Sequence, residues 1–263
     1  MKQVMKEQWD QISNENAFYG VLSRNEFEDP NNINIDNFWE TGREAADSLL
    51  KLANIEDTQE LNMLEIGCGL GRMTHRFAER FGNVYALDVS PQMLDKAKSH
   101  WGHLQNVEWL LGSGEDFHQI TSESLDFVFS YWVLQHIPKP EVVLNYIREA
   151  ARVLKPEATA FLQFRVLPPN EGVVALKYYI TTHLPSSAQF ILRKLWDVIH
   201  GNKDTRAKFS REFESWRGCA LSTTMIEKTA RENHLRVQSK DILGKQTPGT
   251  LSMYYVLQKK AEI

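Results

Sequence analysis

The stretch LEIGCGLGRMTHRF, residues 64–77, constrains the fold more than any other part of this 263-residue chain. An apolar run, LNMLEIG, reads as a strand, and three glycines at alternate positions follow it: Gly67, Gly69 and Gly71. GRMTHRFAERFG then carries Met73, Phe77 and Phe81 at helical spacing and stops at Gly82. A strand leading through a bare loop into a helix starts a βαβ unit, and the glycines let a ligand approach the backbone. The chain repeats the theme. NVYALDVS is a second strand, and Ser90 caps the next helix with Pro91 at its first position. VEWLLGS, LDFVFSYWVL and ATAFLQFRV supply three more strands. Between the last two, PEVVLNYIREAARVLKP sets Leu144, Ile147, Ala151 and Leu154 on one stripe and stops at Pro156. Near the end, TTMIEKTARENH reads as a helix with a Thr224–Glu227 capping box, followed by the strands LRVQSKDIL and SMYYVLQKK. Continuously apolar strands alternating with helices predict an α/β protein whose mostly parallel, doubly wound sheet of seven strands is covered on both faces.

Three sections are expected. Residues 1–58 form an N-terminal helical arm, in which REAADSLLKLANI places Ala46, Leu49, Leu50 and Leu52 near one face and EDPNNINIDNFWETG is a loop feeding that helix. Residues 59–167 and 219–263 form the α/β core. Residues 168–218, with a Ser186–Gln189 capping box, are expected to be an inserted helical cap, because structureless insertions of that length are rare. The net charge of −4 and pI near 6.1 give no basic field for a polyanion, so nucleic acid is not an expected partner. Cys68 and Cys219 are too few for a disulfide framework and lack zinc-site spacing, no metal is implied, and no apolar run reaches a membrane span. The expectation is a cytoplasmic monomer or homodimer.

The glycine loop does not fit the two common phosphate cradles. A dinucleotide fold places glycine where Arg72 stands, and a P-loop needs a lysine after its last glycine. What the loop has instead is Glu65 two positions before Gly67, and Asp88 at the end of the second strand. Asp88 can accept hydrogen bonds from both hydroxyls of a ribose, Glu65 can face a cationic group, and the helix after Gly71 offers free N–H groups to a carboxylate. An amino acid joined to a nucleoside meets all three demands, and S-adenosylmethionine is such a molecule.

Residues 61–165 resemble the core of class I S-adenosylmethionine-dependent methyltransferases, whose first motif, [DE]-x-G-x-G-x-G, is matched by EIGCGLG. ALDVS is similar to their ribose-binding motif, LLGSGEDF to their adenine loop, LDFVFSYWVLQHI to the strand that passes beside the transferred methyl, and the C-terminal tail to their closing helix and two strands. The resemblance implies a Rossmann-like sheet with its last strand antiparallel. It also implies methyl transfer from S-adenosylmethionine, with S-adenosylhomocysteine as product, to a small-molecule O-, N- or C-nucleophile held between core, arm and cap. Alternatives are an RNA or protein methyltransferase, or a non-catalytic S-adenosylmethionine-binding regulatory protein.

The resemblance makes Glu65, Gly67, Cys68, Gly69, Gly71, Asp88, Val89, Gly114 and Ser130 cofactor-binding candidates, with Val89 packing on the adenine. Arg72 either reaches the site or lies on the first helical turn. Family members often carry an acid where this chain has Ser113, so Glu115 or Asp116 is expected to accept from the adenine amino group instead. His136 is the candidate general base, since an imidazole titrates near neutrality and stands where the acceptor must sit; the alternative is that it hydrogen-bonds the chain before Pro138. Tyr131 and Trp132 flank the same place, and strand alternation predicts that one of the two faces the site, with Tyr131 the catalytic candidate. Tyr19, Phe38 and Trp39 of the arm are candidates for closing over the cofactor.

Overall fold

A computed structural model describes residues 2–56, 58–167, 213, 216, 218–246 and 250–261. Within them the elements run α1 (Lys2–Val21), α2 (Ile35–Leu52), β1 (Asn62–Ile66), α3 (Thr74–Arg80), β2 (Asn83–Asp88), α4 (Pro91–Trp101), β3 (Val107–Leu111), β4 (Leu125–Ser130), α5 (Pro140–Val153), β5 (Leu154–Val166), α6 (Thr223–Glu232), β6 (Leu235–Gln246) and β7 (Thr250–Lys259). The expected cap lies outside the described residues, apart from Phe213, Trp216 and Gly218.

The seven strands form one sheet in the order β3-β2-β1-β4-β5-β7-β6, parallel throughout except for β7, which is antiparallel to both neighbours. The chain winds outward from β1 to β3 and then resumes at β4 on the other side of β1. The order therefore reverses between β1 and β4, where Ile66 pairs with Ser130, and the loops leaving those two strands diverge to open a crevice.

Side-chain alternation explains how a nearly unbroken apolar strand serves two cores. On one face Leu64, Ile66, Val128, Ala160, Leu162 and Leu257 pack under α5 and α6. On the other Met63, Phe127, Phe129, Phe161 and Val256 pack under α2 and α3. Glu65 shares its strand face with Met63, at the crevice end of β1.

Several boundaries differ from the sequence reading. α2 begins at Ile35, capped by Asn34, whose side chain accepts from Asn37 N, so half of the expected loop is helix; Leu52 is exposed while Ala46, Leu49 and Leu50 are buried. α3 begins at Thr74 and ends at Arg80, which lengthens the glycine loop to Met73. The β4 strand ends at Ser130: Trp132 takes φ +58° and a 3-10 turn follows at Leu134–His136. α5 stops at Val153, Leu154 opens β5, and Leu144 is only half-buried. The cap of α6 is Ser222, which accepts from Met225 N at 3.2 Å, rather than Thr224. α1 breaks at Asn16, whose extended backbone lets its side chain accept from Tyr19 N and donate to the carbonyls of Phe27 and Glu28, so the arm folds back on itself.

Candidate functional site

The crevice between β1 and β4 is a concave cavity lined by the glycine loop, the ends of β2 and β4 and the N-terminal arm. Its floor is the glycine loop. Gly67 and Gly69 have φ of +75° and +54°, and a Cβ on Gly67 would lie 2.3 Å from Val133 Cγ2, so the β1 and β4 loops touch only because that residue is bare. Gly71 (φ +79°) does not line the cavity; it packs against Trp101 and Trp109.

Asp88, at the end of β2, is tied to the loop beside it. Gly69 N–H donates to Oδ2 and Ser90 N–H to Oδ1, each at 2.9 Å. Val89 N–H also faces this carboxylate, and of its roughly four lone-pair sites at least one stays open for a ligand. Enclosure raises its pKa to about 6 against those backbone donors. Glu65 is deeply buried, accepts from Thr74 Oγ1 at 2.5 Å, and has its pKa raised by burial to about 7, with Thr74 and Arg72 opposing. Arg72 also lines the cavity and is 5% exposed. Its Nη1 donates to Thr41 Oγ1 at 3.3 Å, its Nε has no partner among the described residues, and burial lowers its pKa to about 10. The strand ends and the loop thus place two carboxyl groups, Glu65 and Asp88, and the Arg72 cation on one wall.

The far end of this wall is backbone and apolar surface: Gly112, Gly114, Leu87 and Val89, with Met5 above. Glu115 and Asp116 do not line it. Ser113 Oγ accepts from the N–H of both residues and donates to Asp116 Oδ1 at 2.7 Å, and His118 also bonds that carboxylate, so Asp116 is turned outward. Asn145 holds the Glu115 carbonyl. The serine that replaces the expected acid is consumed in closing this turn. Tyr146 of α5 supplies a polar edge here that sequence reasoning did not anticipate; burial raises its phenol well above the ordinary range.

The opposite wall is aromatic. Tyr131 and Trp132 both line the cavity, their rings stacked with centroids 5.0 Å apart, because the strand has ended and alternation no longer separates them. His136 lines it as well, but both ring nitrogens are engaged: Nδ1 is 3.0 Å from the Trp216 carbonyl and Nε2 is 3.1 Å from Gln135 Nε2. The expected base is not presented as an open imidazole. Ser130 sits beneath, fully buried, with its hydroxyl unbonded among the described residues and outside the cavity lining.

The arm closes the mouth with Met5, Trp9, Gly20 and Val21 rather than with the aromatics expected. Phe38 is buried against Phe18 and Phe27, and Tyr19 stacks on Trp216. Trp39 does not line this cavity; it packs on His75, His100 and Trp101 beside a separate surface pocket. The spacing of Met5, Trp9 and Ile12 was the available signal for the arm's inner face. Asp10 accepts from Ser90 Oγ at 2.5 Å, and Lys96 Nζ donates to the Ser13 carbonyl, which seats α1 on α4. No helix among the described residues is long and apolar enough to cross a membrane.

Residues 64–162 match the family model described as "Methyltransferase domain". The chain is 37% identical over 100 residues to the biotin biosynthesis bifunctional protein BioHC of Cellvibrio japonicus, covering 38% of this chain and 19% of that protein. It is 31% identical over 149 residues to a ubiquinone biosynthesis O-methyltransferase of Xanthomonas oryzae, covering 56% of this chain and 57% of the relative. It thus spans from about a fifth to little more than half of these relatives' length. Among solved structures, magnesium protoporphyrin IX methyltransferase from Synechocystis, with bound SAH, superposes with a TM-score of 0.60 at 15% identity over 98% of this chain and 99% of that one, which is a likeness of fold.

Proposed function

We propose that the chain carries a class I, S-adenosylmethionine-dependent methyltransferase domain and that it transfers a methyl group from this cofactor to a small-molecule acceptor, a reading supported by the match of residues 64–162 to a methyltransferase-domain model. The observation that carries the reading is the placing of Glu65, Arg72 and Asp88 around one cavity with a glycine floor. The donor set fits an amino-acid nucleoside. Asp88 would accept from the ribose diol with the lone-pair capacity its backbone donors leave open. Glu65 would take the ammonium group and Arg72 the carboxylate; a buried cation whose Nε lacks a partner calls for an anion. Gly112, Gly114, Val89 and Tyr146 would bracket the adenine.

When bound, S-adenosylmethionine supplies a methyl already activated on a sulfonium, so little covalent chemistry is asked of the protein. Tyr131, Trp132 and Trp9 would orient the acceptor, and Met5, Trp9 and Val21 would keep water from it. The apolar, aromatic wall favours a small molecule over a polyanion, and the acidic net charge agrees.

Calorimetric titration with S-adenosylmethionine, followed by assay of S-adenosylhomocysteine release with panels of hydroxyl, amine, thiol and carboxylate acceptors, tests the proposal. Binding plus acceptor-dependent release is expected. Failure to bind the cofactor would overturn it, and binding without release from any acceptor would favour a regulatory binding protein.

A further inference from the structure

The turn after β4 carries a hydrogen-bond chain that none of the cofactor contacts uses. It begins in β5 at Arg165, whose guanidinium has donors only: Nε donates to Gln246 Oε1 at 2.7 Å. Gln246 Nε2 donates to Gln135 Oε1 at 2.6 Å, Gln135 Nε2 lies 3.1 Å from His136 Nε2, and His136 Nδ1 lies 3.0 Å from the Trp216 carbonyl oxygen. An arginine at one end and a carbonyl at the other permit a single direction of donation. A second anchor agrees. Trp132 N–H donates to Gln163 Oε1 at 2.9 Å, which turns Gln163 Nε2 toward Gln135 Oε1, the Phe164 carbonyl and Ser252 Oγ. With two amide donors on its oxygen, Gln135 must offer its NH₂ to His136, whose Nε2 accepts while Nδ1 carries the proton.

We propose that this chain locks His136 as the neutral Nδ1–H tautomer and makes it a positioning residue of the acceptor wall rather than the group that takes the acceptor's proton. The acceptor-wall part rests on the methyl-transfer reading; the lock itself does not. Placing a proton on Nε2 would turn the Gln135 amide around, so that its NH₂ faced the donors of Gln246 and Gln163, and Gln246 cannot turn in compensation because Arg165 holds its oxygen. The ring is further fixed by Trp9 of α1, edge-on at 5.4 Å, and by Trp216 at 5.6 Å. Gly218 passes so near the turn that a Cβ there would fall 1.7 Å from the Gln135 carbonyl oxygen. Among the described residues, Arg165 is a charged group that reaches His136 through the chain, α1 presents Trp9, and the other titratable groups lining the cavity are Glu65, Cys68, Arg72, Asp88, Tyr131 and Tyr146.

Nitrogen NMR of the full chain with ¹⁵N-labelled histidine, titrated from pH 8 to pH 5.5, reads the tautomer without cofactor or acceptor, so its outcome is independent of methyl transfer. Expected are a protonated-type signal for Nδ1, a lone-pair-type signal for Nε2, and no protonation at the pH near 6.5 where free histidine titrates. In Gln135→Glu a carboxylate replaces the amide opposite Nε2, and the proton affinity of His136 is expected to rise at least tenfold. In Arg165→Met the anchor is lost, and His136 should titrate closer to free histidine. An Nε2–H tautomer in the parent protein, a parent His136 titrating as free histidine does, or unchanged titration in whichever variants fold would overturn the lock.

Discussion

The two walls of the cavity are built in opposite ways. The wall of Glu65, Gly67, Gly69 and Asp88 is local: strand ends and a loop a few residues long, wired together by backbone N–H groups that end on the Asp88 carboxylate. The aromatic wall is assembled from distant parts of the chain: Met5, Trp9 and Val21 of the arm, Tyr131 to His136 of the turn after β4, and a hydrogen-bond chain reaching β5 and β6. The first can be repeated in many proteins because few residues specify it. The second belongs to this chain and would set its acceptor.

The largest effect is expected where the walls meet. Gly67→Ala drives a methyl into Val133 at a backbone φ of +75°, and overpacking of about 1–3 kcal/mol with roughly 1–2 kcal/mol of left-handed strain should lower the melting temperature and abolish cofactor binding together. Normal calorimetric affinity in this variant would show that the walls are not coupled at this glycine.

Next comes Asp88→Ala, confined to the first wall, for which calorimetry should find S-adenosylmethionine affinity at least tenfold weaker, about 1.4 kcal/mol. Unchanged affinity would remove Asp88 from the ribose site. Trp9→Leu is its counterpart on the aromatic wall. Turnover should fall several-fold while cofactor affinity moves less than in Asp88→Ala, and a larger cofactor defect than turnover defect would reverse the assignment of the two walls.

Glu65 adds a pH test. Its folded pKa, about 7, lies above the unfolded value of 4.5, so the folded state holds the proton more tightly and stability falls as pH rises from about 4.5 to 7; Asp88, at about 6 against 3.8, acts in the same sense. For buried Glu65 the contribution is on the order of 3 kcal/mol. An ammonium ligand wants the carboxylate, so cofactor binding near pH 6.5 should release protons, detectable as a calorimetric enthalpy that changes with buffer ionisation heat. Glu65→Gln keeps an acceptor for Thr74. It should raise the melting temperature at pH 8, weaken cofactor binding and abolish the proton release; a lower melting temperature there would contradict the sign. The smallest effect is expected for Glu115→Gln, under threefold in cofactor affinity, because that side chain does not line the cavity.

Much of the fold and part of the lining of the candidate site were legible in the sequence, for reasons particular residues make plain. Strand alternation of Met63 to Ile66 and Phe127 to Phe129 follows from the period of two and survives any context. Ser90 with Pro91 marks a helix start by local hydrogen bonding alone. The failures came where local pattern was outvoted. Trp132 reads as strand, yet its positive φ ends β4 and brings it beside Tyr131 at the cavity. Trp39 reads as a lid, yet it packs among His75, His100 and Trp101. Ser113 reads as a lost contact, yet it closes the turn that points Asp116 away.

What the sequence by itself determined is the alternation of strands and helices and the chemistry at the ends of β1 and β2, because a strand, a loop and the residue that caps it interact within a few positions of one another. What only the tertiary structure decided is which residues face that chemistry. The arm's inner face, the pairing of Tyr131 with Trp132 and the wiring of His136 to Arg165 depend on contacts between residues far apart in the chain, and side-chain direction there is set by packing rather than by period.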